Sequence, residues 1–344
     1  RATASYNDVF NENHIFNFFG GMELNATDRT QTWFQGVGLQ YDMGMLPSYD
    51  YLYFKQGNEE NAAYYGVSTT RSRDVAFFST ATYSWKGKYT INGTVRYEGS
   101  NKLGKSRSAR WLPTWNVSGA WNVHEESWFE NLRPALSNLT LKASYSRVIV
   151  NSYNSYRPFA SVSESGLQIT ELENSELTYE KKHELNVGAE IGFLDNRINL
   201  AMDWYKRNNY DLIGIINTMG VGGQISKYAN VASMKSHGVE FTLSTRNIVT
   251  RDFKWNTDFI FSNAKNEVTE LDANSRVIDL IAGTGFALEG YPVRSLFSMD
   301  FQGLNGQGLP TFINEKGKVT VSDINFQERN VKDHLVYEGP TDPT

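Results

Sequence analysis

A two-residue alternation, repeated along most of the chain, constrains this sequence more than any other feature. In YTINGTVRYEGS, residues 89–100, Tyr89, Ile91, Gly93, Val95 and Tyr97 fall on one side. Thr90, Asn92, Thr94, Arg96 and Glu98 fall on the other. Side chains of a strand point alternately to its two faces, so the stretch predicts a strand with one apolar face. The same reading holds at 77–85, 115–123, 139–145, 184–193, 198–205, 239–244 and 255–262. In the last of these Trp255, Phe259 and Phe261 oppose Asn256, Asp258 and Ser262. A strand near 14–25 is less regular, because Ile15 and Phe19 fall on its polar side. Helical periodicity is confined to 125–136.

The connections separate into two kinds. Short ones lie at KGK (86–88), FLDN (193–196) and NIVTRD (247–252), and 124–137 reads as a small helix or irregular turn on the same side. Long, polar, Tyr-rich segments fall between them, at 27–75, 99–112, 148–182, 208–236 and 265 onward. A soluble sandwich has no reason to gather its long loops at one end. A membrane-spanning barrel has short turns on one side and long loops on the other. Tyr89 and Tyr97 lie eight residues apart, about 26 Å before tilt. Trp85, Trp115, Trp204 and Trp255 also sit near strand ends. Aromatic girdles at both interfaces of a lipid band have this form.

Composition narrows the alternatives. The net charge of −5 disfavours nucleic acid, whose partners carry a basic footprint. No Cys is present, so neither disulfides nor a thiolate metal site holds the fold. No run of about 18 apolar residues exists to form a spanning helix, which leaves barrel strands untouched. Neither RATASYNDVF at the start nor GPTDPT at the end has the form of a natural terminus, and the chain is expected to be a segment of a longer protein.

Several stretches, in order, resemble the SusC/RagA-type family of TonB-dependent outer-membrane transporters. They are VRYEGSNKLGKSRSARWLPTWNVSGAWNVHEESWF (95–129), NLTLKASYSRV (138–148), LTYEKKHELNVGAEIGFLDNRINLAMDWYKRNNYDLI (177–213), NVASMKSHGVEFTL (230–243) and LEGYPVRSLFSMDFQGLNGQGLPTFINEKG (288–317). One departure is Ser146-Arg147, where the family pattern has Gly after Tyr145. The resemblance implies an all-β fold: about ten strands of a large, 22-stranded antiparallel transmembrane barrel, with periplasmic turns and extracellular loops. It implies that residues 1–344 are part of the receptor barrel domain, with no plug, no TonB box and no final strand in this chain. It further implies a bacterial outer-membrane location, a SusD-like surface lipoprotein as lid and energy from TonB through the missing plug. Oligosaccharides or peptides are the implied cargo, and two transporter–lid pairs the implied dimer.

The chemistry readable from the residues is binding, not catalysis. The five His are scattered, with no H-E-x-x-H, so no metal and no cofactor are expected. GVGG (220–223) lacks a strand–helix setting for a dinucleotide, and the Glu pairs sit in loops as solvated charge. LNGQG (304–308) reads as a turn rather than a Ca²⁺ loop. An enzyme is therefore not expected. The ligand-binding candidates are loop aromatics: Trp33, Tyr49, Tyr51, Tyr53, Trp111, Tyr153 and Tyr156, with SYDYLYF (48–54) the densest cluster. Their rings can stack on sugars, pack loop on loop or meet a partner protein. Two other readings stand beside the transporter. One is a soluble or surface all-β adhesin or glycan-binding module, which predicts evenly distributed loops and no need for detergent. The other is a siderophore or cobalamin TonB-dependent receptor.

Overall fold

A computed structural model describes residues 1–34, 55–57, 59–60, 65–102, 106–151, 159–163, 166–171, 174, 176–217, 226–272, 275–282, 287–331 and 335–342. Ten long antiparallel strands form one sheet. They are β1 (Ala2–Phe10), β2 (His14–Phe34), β3 (Tyr65–Trp85), β4 (Tyr89–Ser100), β5 (Trp111–Asn122), β6 (Leu136–Asn151), β9 (Glu180–Phe193), β10 (Ile198–Asn217), β11 (Ser226–Val249) and β12 (Lys254–Leu271). A small separate hairpin of β7 (Phe159–Ser163) and β8 (Gly166–Glu171) lies in the connection from β6 to β9. Each strand of the sheet pairs with its neighbour in the chain, which is the meander of an up-and-down barrel wall.

The register carries the alternation from strand to strand. Phe16, Tyr83, Ile91, Gly119 and Ala143 stand in one cross-strand row. Val187, Trp204 and Val239 continue that row, since Val187 stands opposite Ala143, and Met202, Phe241 and Phe261 stand in the next. These rows share one face, and many of their side chains are exposed, Ile91 by 60%. The opposite face carries a hydroxyl and amide ladder: Thr80 to Thr94 at 3.1 Å, Asn92 Nδ2 donating to Thr82 Oγ1 at 2.6 Å, and Thr90 donating to Ser84 at 3.0 Å. An apolar face left open over this much sheet is unstable in water, because exposed apolar patches of a soluble chain are small. It is what a lipid-facing wall requires.

The short connections gather at one end of the sheet. They are 11–13, 86–88, 123–135, 194–197 and 250–253. Lys86 and Gly87 take φ of 52° and 68°, and Leu194, Asp195 and Asn196 take 52° to 56°. These left-handed residues let the strands reverse tightly. Segment 123–135 holds two 3₁₀ turns, Val123–Glu125 and Ser127–Leu132, with Phe129 fully buried. The helical periodicity at 125–136 is therefore short 3₁₀ structure.

Two sequence expectations need correction. The alternation marks no strand at Ala2–Phe10, yet this segment pairs along its whole length with β2. The long loops are also shorter than the sequence suggests: β2 runs to Phe34, β3 starts at Tyr65, β10 runs to Asn217 and β12 to Leu271. The extensions of β2, β3 and β12 are largely polar on both faces, and that of β10 runs Leu212, Ile213, Ile215 and Ile216 without alternation, so none carries an amphipathic period to read. After β12, the segment 275–342 builds its own small core of Val277, Leu280, Phe297 and Val331. There β13 (Ser295–Met299) pairs with β17 (Leu335–Pro340), beside a three-stranded sheet of β14 (Phe301–Leu304), β15 (Pro310–Ile313) and β16 (Val319–Thr320). It is tied to β12 by Gly290 N donating to Val268 O at 2.8 Å and Val268 N donating to Tyr291 O at 2.9 Å.

Candidate functional site

At the long-loop end of the polar face, β2, β3 and β4 bring Glu23, Asn25, Asp74, Arg96, Glu98 and Ser100 around a cavity of about 410 Å³. Alternation places all six side chains on the same face. Arg96 bridges two carboxylates, with Glu98 at 2.5 Å and Glu23 at 3.6 Å. Asp74 accepts from Ser100 at 2.5 Å and from Ser72 at 3.0 Å. The wall is thus a set of oriented carboxylate, hydroxyl and guanidinium groups, able to hold a polar ligand rich in hydroxyls or amides. Among the described residues no group of three or more His, Cys, Asp or Glu is placed to hold a metal.

A strap closes one side of this cavity. Pairing of β5 with β6 stops at Trp115–Arg147, and above it Leu112, Ile149 and Tyr179 pack together. Tyr179 lies just before β9 and is only 5% exposed. Burial, with Glu98 and Asp74 nearby, pushes its phenol up to about 12, so it stays neutral at ordinary pH. Leu177 is fully buried. The Asn230 amide fastens the strap: Thr178 N donates to Oδ1 at 3.0 Å, and Nδ2 donates to Thr178 O at 3.0 Å and to Asp211 O at 2.6 Å. Asp211 has φ of 56° at a bulge in β10, which turns its carbonyl toward Asn230. Glu180 accepts from Ile213 N at 2.9 Å. Sequence reasoning did not single out this strap, though LTYE, the NYDLI stretch of β10 and Asn230 all fall in the family-like stretches. Their meeting depends on strands far apart in the chain.

Of the seven sequence-derived aromatics, Trp33 and Trp111 fall among the described residues, and they stand on opposite faces of the sheet. Tyr49, Tyr51, Tyr53, Tyr153 and Tyr156 lie outside the described residues. Trp33 falls on the same face as Glu23 and Asn25, and its indole lies across Gly66, where a Cβ would come within 2.2 Å of Nε1. Trp111 stands on the opposite, apolar face, stacked on Tyr97 at 5.2 Å between ring centroids. There it edges the apolar band, away from the cavity.

At the short-turn end of the apolar face the rings of Trp85, Tyr89 and Trp121 stack in a row, 5.7 and 6.1 Å apart. Glu126 locks this row, accepting from Tyr89 OH at 2.6 Å, Lys88 Nζ at 2.8 Å and Trp121 Nε1 at 3.2 Å. These donors, Lys88 foremost, hold its carboxyl down at about 2, against 4.5 ordinarily. A depressed acid contributes stability above its unfolded pKa and loses it as pH falls through the folded one. The lock is therefore expected to persist from neutral pH through 4.5 and to open only toward 2. Tryptophan fluorescence on acid titration should show a transition near pH 2 that Glu126→Gln removes. A transition near pH 4.5 in the unaltered protein would refute the lock.

Comparison with known proteins gives a consistent picture. Residues 1–317 match the family model described as TonB dependent receptor-like, beta-barrel. The TonB-dependent receptor P3 of Formosa agariphila is 26% identical over 67% of this chain and 24% of its own length. The TonB-dependent receptor SusC of Bacteroides thetaiotaomicron is 28% identical over 59% of this chain and 21% of its own length. This chain thus spans about a quarter or less of these curated relatives. Among solved structures, the RagAB peptide transporter superposes with a TM-score of 0.72 at 22% identity, over 93% of this chain and 35% of that one, a likeness of fold.

Proposed function

The chain belongs to the TonB-dependent receptor-like β-barrel family, and from that premise we propose that it forms part of the wall and surface loops of an outer-membrane nutrient transporter. The observation that carries this reading is the two-faced sheet, apolar on one side and hydrogen-bonded polar on the other, with its short turns gathered at one end. The apolar face meets lipid, and the polar face lines the barrel interior. The turns lie in the periplasm and the long connections outside. The work of this chain is passage and binding, as in a family of transport proteins, rather than covalent chemistry.

The finer reading follows the relatives. The plug and the TonB contact belong to parts of the full protein beyond residues 1–344. A SusD-like surface lipoprotein closes over the loop end as a lid. The cargo is an oligosaccharide or a peptide, and the cavity around Arg96, Glu98 and Asp74 is a polar contact on its path, facing the interior near the outer mouth. Trp33 stands on that same face.

The test is extraction of the full-length protein from native membranes in mild detergent, followed by identification of what co-purifies. A stoichiometric SusD-like lipoprotein is the expected outcome. The barrel alone would shift the reading to a lidless siderophore or cobalamin receptor. Recovery from the soluble fraction would return the adhesin.

A further inference from the structure

On the outward face of β10 to β12 the apolar rows give way to a band of basic side chains. Lys206 of β10 and Lys265 of β12 both stand opposite His237 of the intervening β11. They sit one step beyond the row of Val187, Trp204 and Val239. The next outward row holds Arg147, His183, Asn208, Lys235 and Glu267. Fixed positive charges gathered on one face of a sheet repel one another. Only Glu267 offsets them within these two rows.

The inward face of the same region treats its basic groups differently. Lys142 pairs with Glu190, and Glu184 takes both Lys182 at 2.6 Å and Arg207 at 2.9 Å. Outside, Lys206, Lys235 and Lys265 have no ion pair among the described residues. Nε of Arg147 is buried there without a hydrogen-bond partner, beside the ring of His183 that Tyr145 and Tyr210 flank. The band therefore sets one carboxylate, Glu267 opposite Lys235, against Arg147, Lys206, Lys235 and Lys265. It lies at the long-loop edge of the apolar rows, the level at which a bilayer presents its headgroups. Attraction of a basic cluster to an anionic lipid surface is strong at this depth and fades within a Debye length.

We propose that this band is a binding site for the phosphate of an anionic lipid headgroup in the outer leaflet, seated across β9 to β12. The inference rests on the outward face lying in the membrane.

The test uses full-length protein in nanodiscs of phosphatidylethanolamine, with and without added bisphosphorylated lipid A, read by native mass spectrometry and thermal melting. Lipid A is expected to stay bound and to raise the melting temperature. Each lysine at an anionic lipid surface is worth roughly fivefold in affinity. The combined Lys206→Gln, Lys235→Gln and Lys265→Gln variant should therefore bind lipid A about a hundredfold more weakly at low salt. The matching Lys→Arg variant should retain it, which excludes misfolding as the cause. Equal lipid A binding by the Gln variant and the unaltered protein would overturn the site. Inorganic phosphate giving the same protection in detergent, with no preference for lipid A, would overturn the headgroup assignment. Failure of the unaltered protein to enter bilayers would instead overturn the membrane reading beneath it.

Discussion

Lysine at position 241 is expected to destabilise the folded barrel by about 3 kcal/mol, the cost of a charge at the midplane of a lipid-facing strand. Phe241 lies between Met202 and Phe261 in the register, in the middle of the outward rows. Its ring also meets Phe259 at 6.1 Å. Neither lipid nor these neighbours can solvate an ammonium there. The adjacent Thr242 points inward, opposite Ala201 and Ile260, toward water. Thr242→Lys should cost less than about 1 kcal/mol, as substitutions on the interior of such barrels are tolerated. Urea-dependent folding of the full-length protein into phosphatidylcholine vesicles measures both. The contrast between adjacent residues matters more than either value. Equal effects at 241 and 242 would mean that the two faces see the same solvent, and the lipid-facing assignment would fall.

The strap over the polar cavity is expected to be the second sensitive point. Leu177→Ala removes a fully buried side chain, a change that costs about 3 kcal/mol where the surroundings cannot close in. Asn230→Ala removes three hydrogen bonds, two to Thr178 and one to Asp211. Asn230→Ala should cost about 2 kcal/mol, at roughly 1 kcal/mol per bond with some relaxation. Because both residues hold the same short segment, the double variant should lose less than the sum. Hydrogen exchange gives the location: amides at 176–182 and at Ile213 should open faster, while those of β3 and β4 keep their protection. Uniform acceleration across the sheet would show that the strap has no independent opening, and its role as a separable cover of the cavity would be lost.

Sequence and structure agree best where the solvent differs on the two sides of a strand. The faces of β4, β9 and β11 were legible because lipid and water sort alternate residues: Ile91, Val187 and Phe241 one way, Asn92, Asn186 and Thr242 the other. The short turns were legible for a related reason, since a tight reversal between two amphipathic runs leaves little else for KGK or FLDN to be. Ala2–Phe10 was not legible, because Asp8 interrupts the face that carries Tyr6 and Phe10. Nor were the outer halves of β2 and β3, where ELNATDRTQT (23–32) is polar on both sides.

By itself the sequence determined the strand period, the face each residue takes and the asymmetry of the connections. These are local properties, set by pleat geometry and by solvents of different polarity. Only the tertiary structure decided which residues meet across strands. It brought Arg96 to Glu23 over a separation of 73 positions and Asn230 to Thr178 over 52. It aligned Lys206, His237 and Lys265, which no period relates. It also sent Trp33 and Trp111, alike as loop aromatics, to opposite faces. Register between strands is a sum of many pair energies and turn geometries spread over the whole sheet, so no single stretch of the chain contains it.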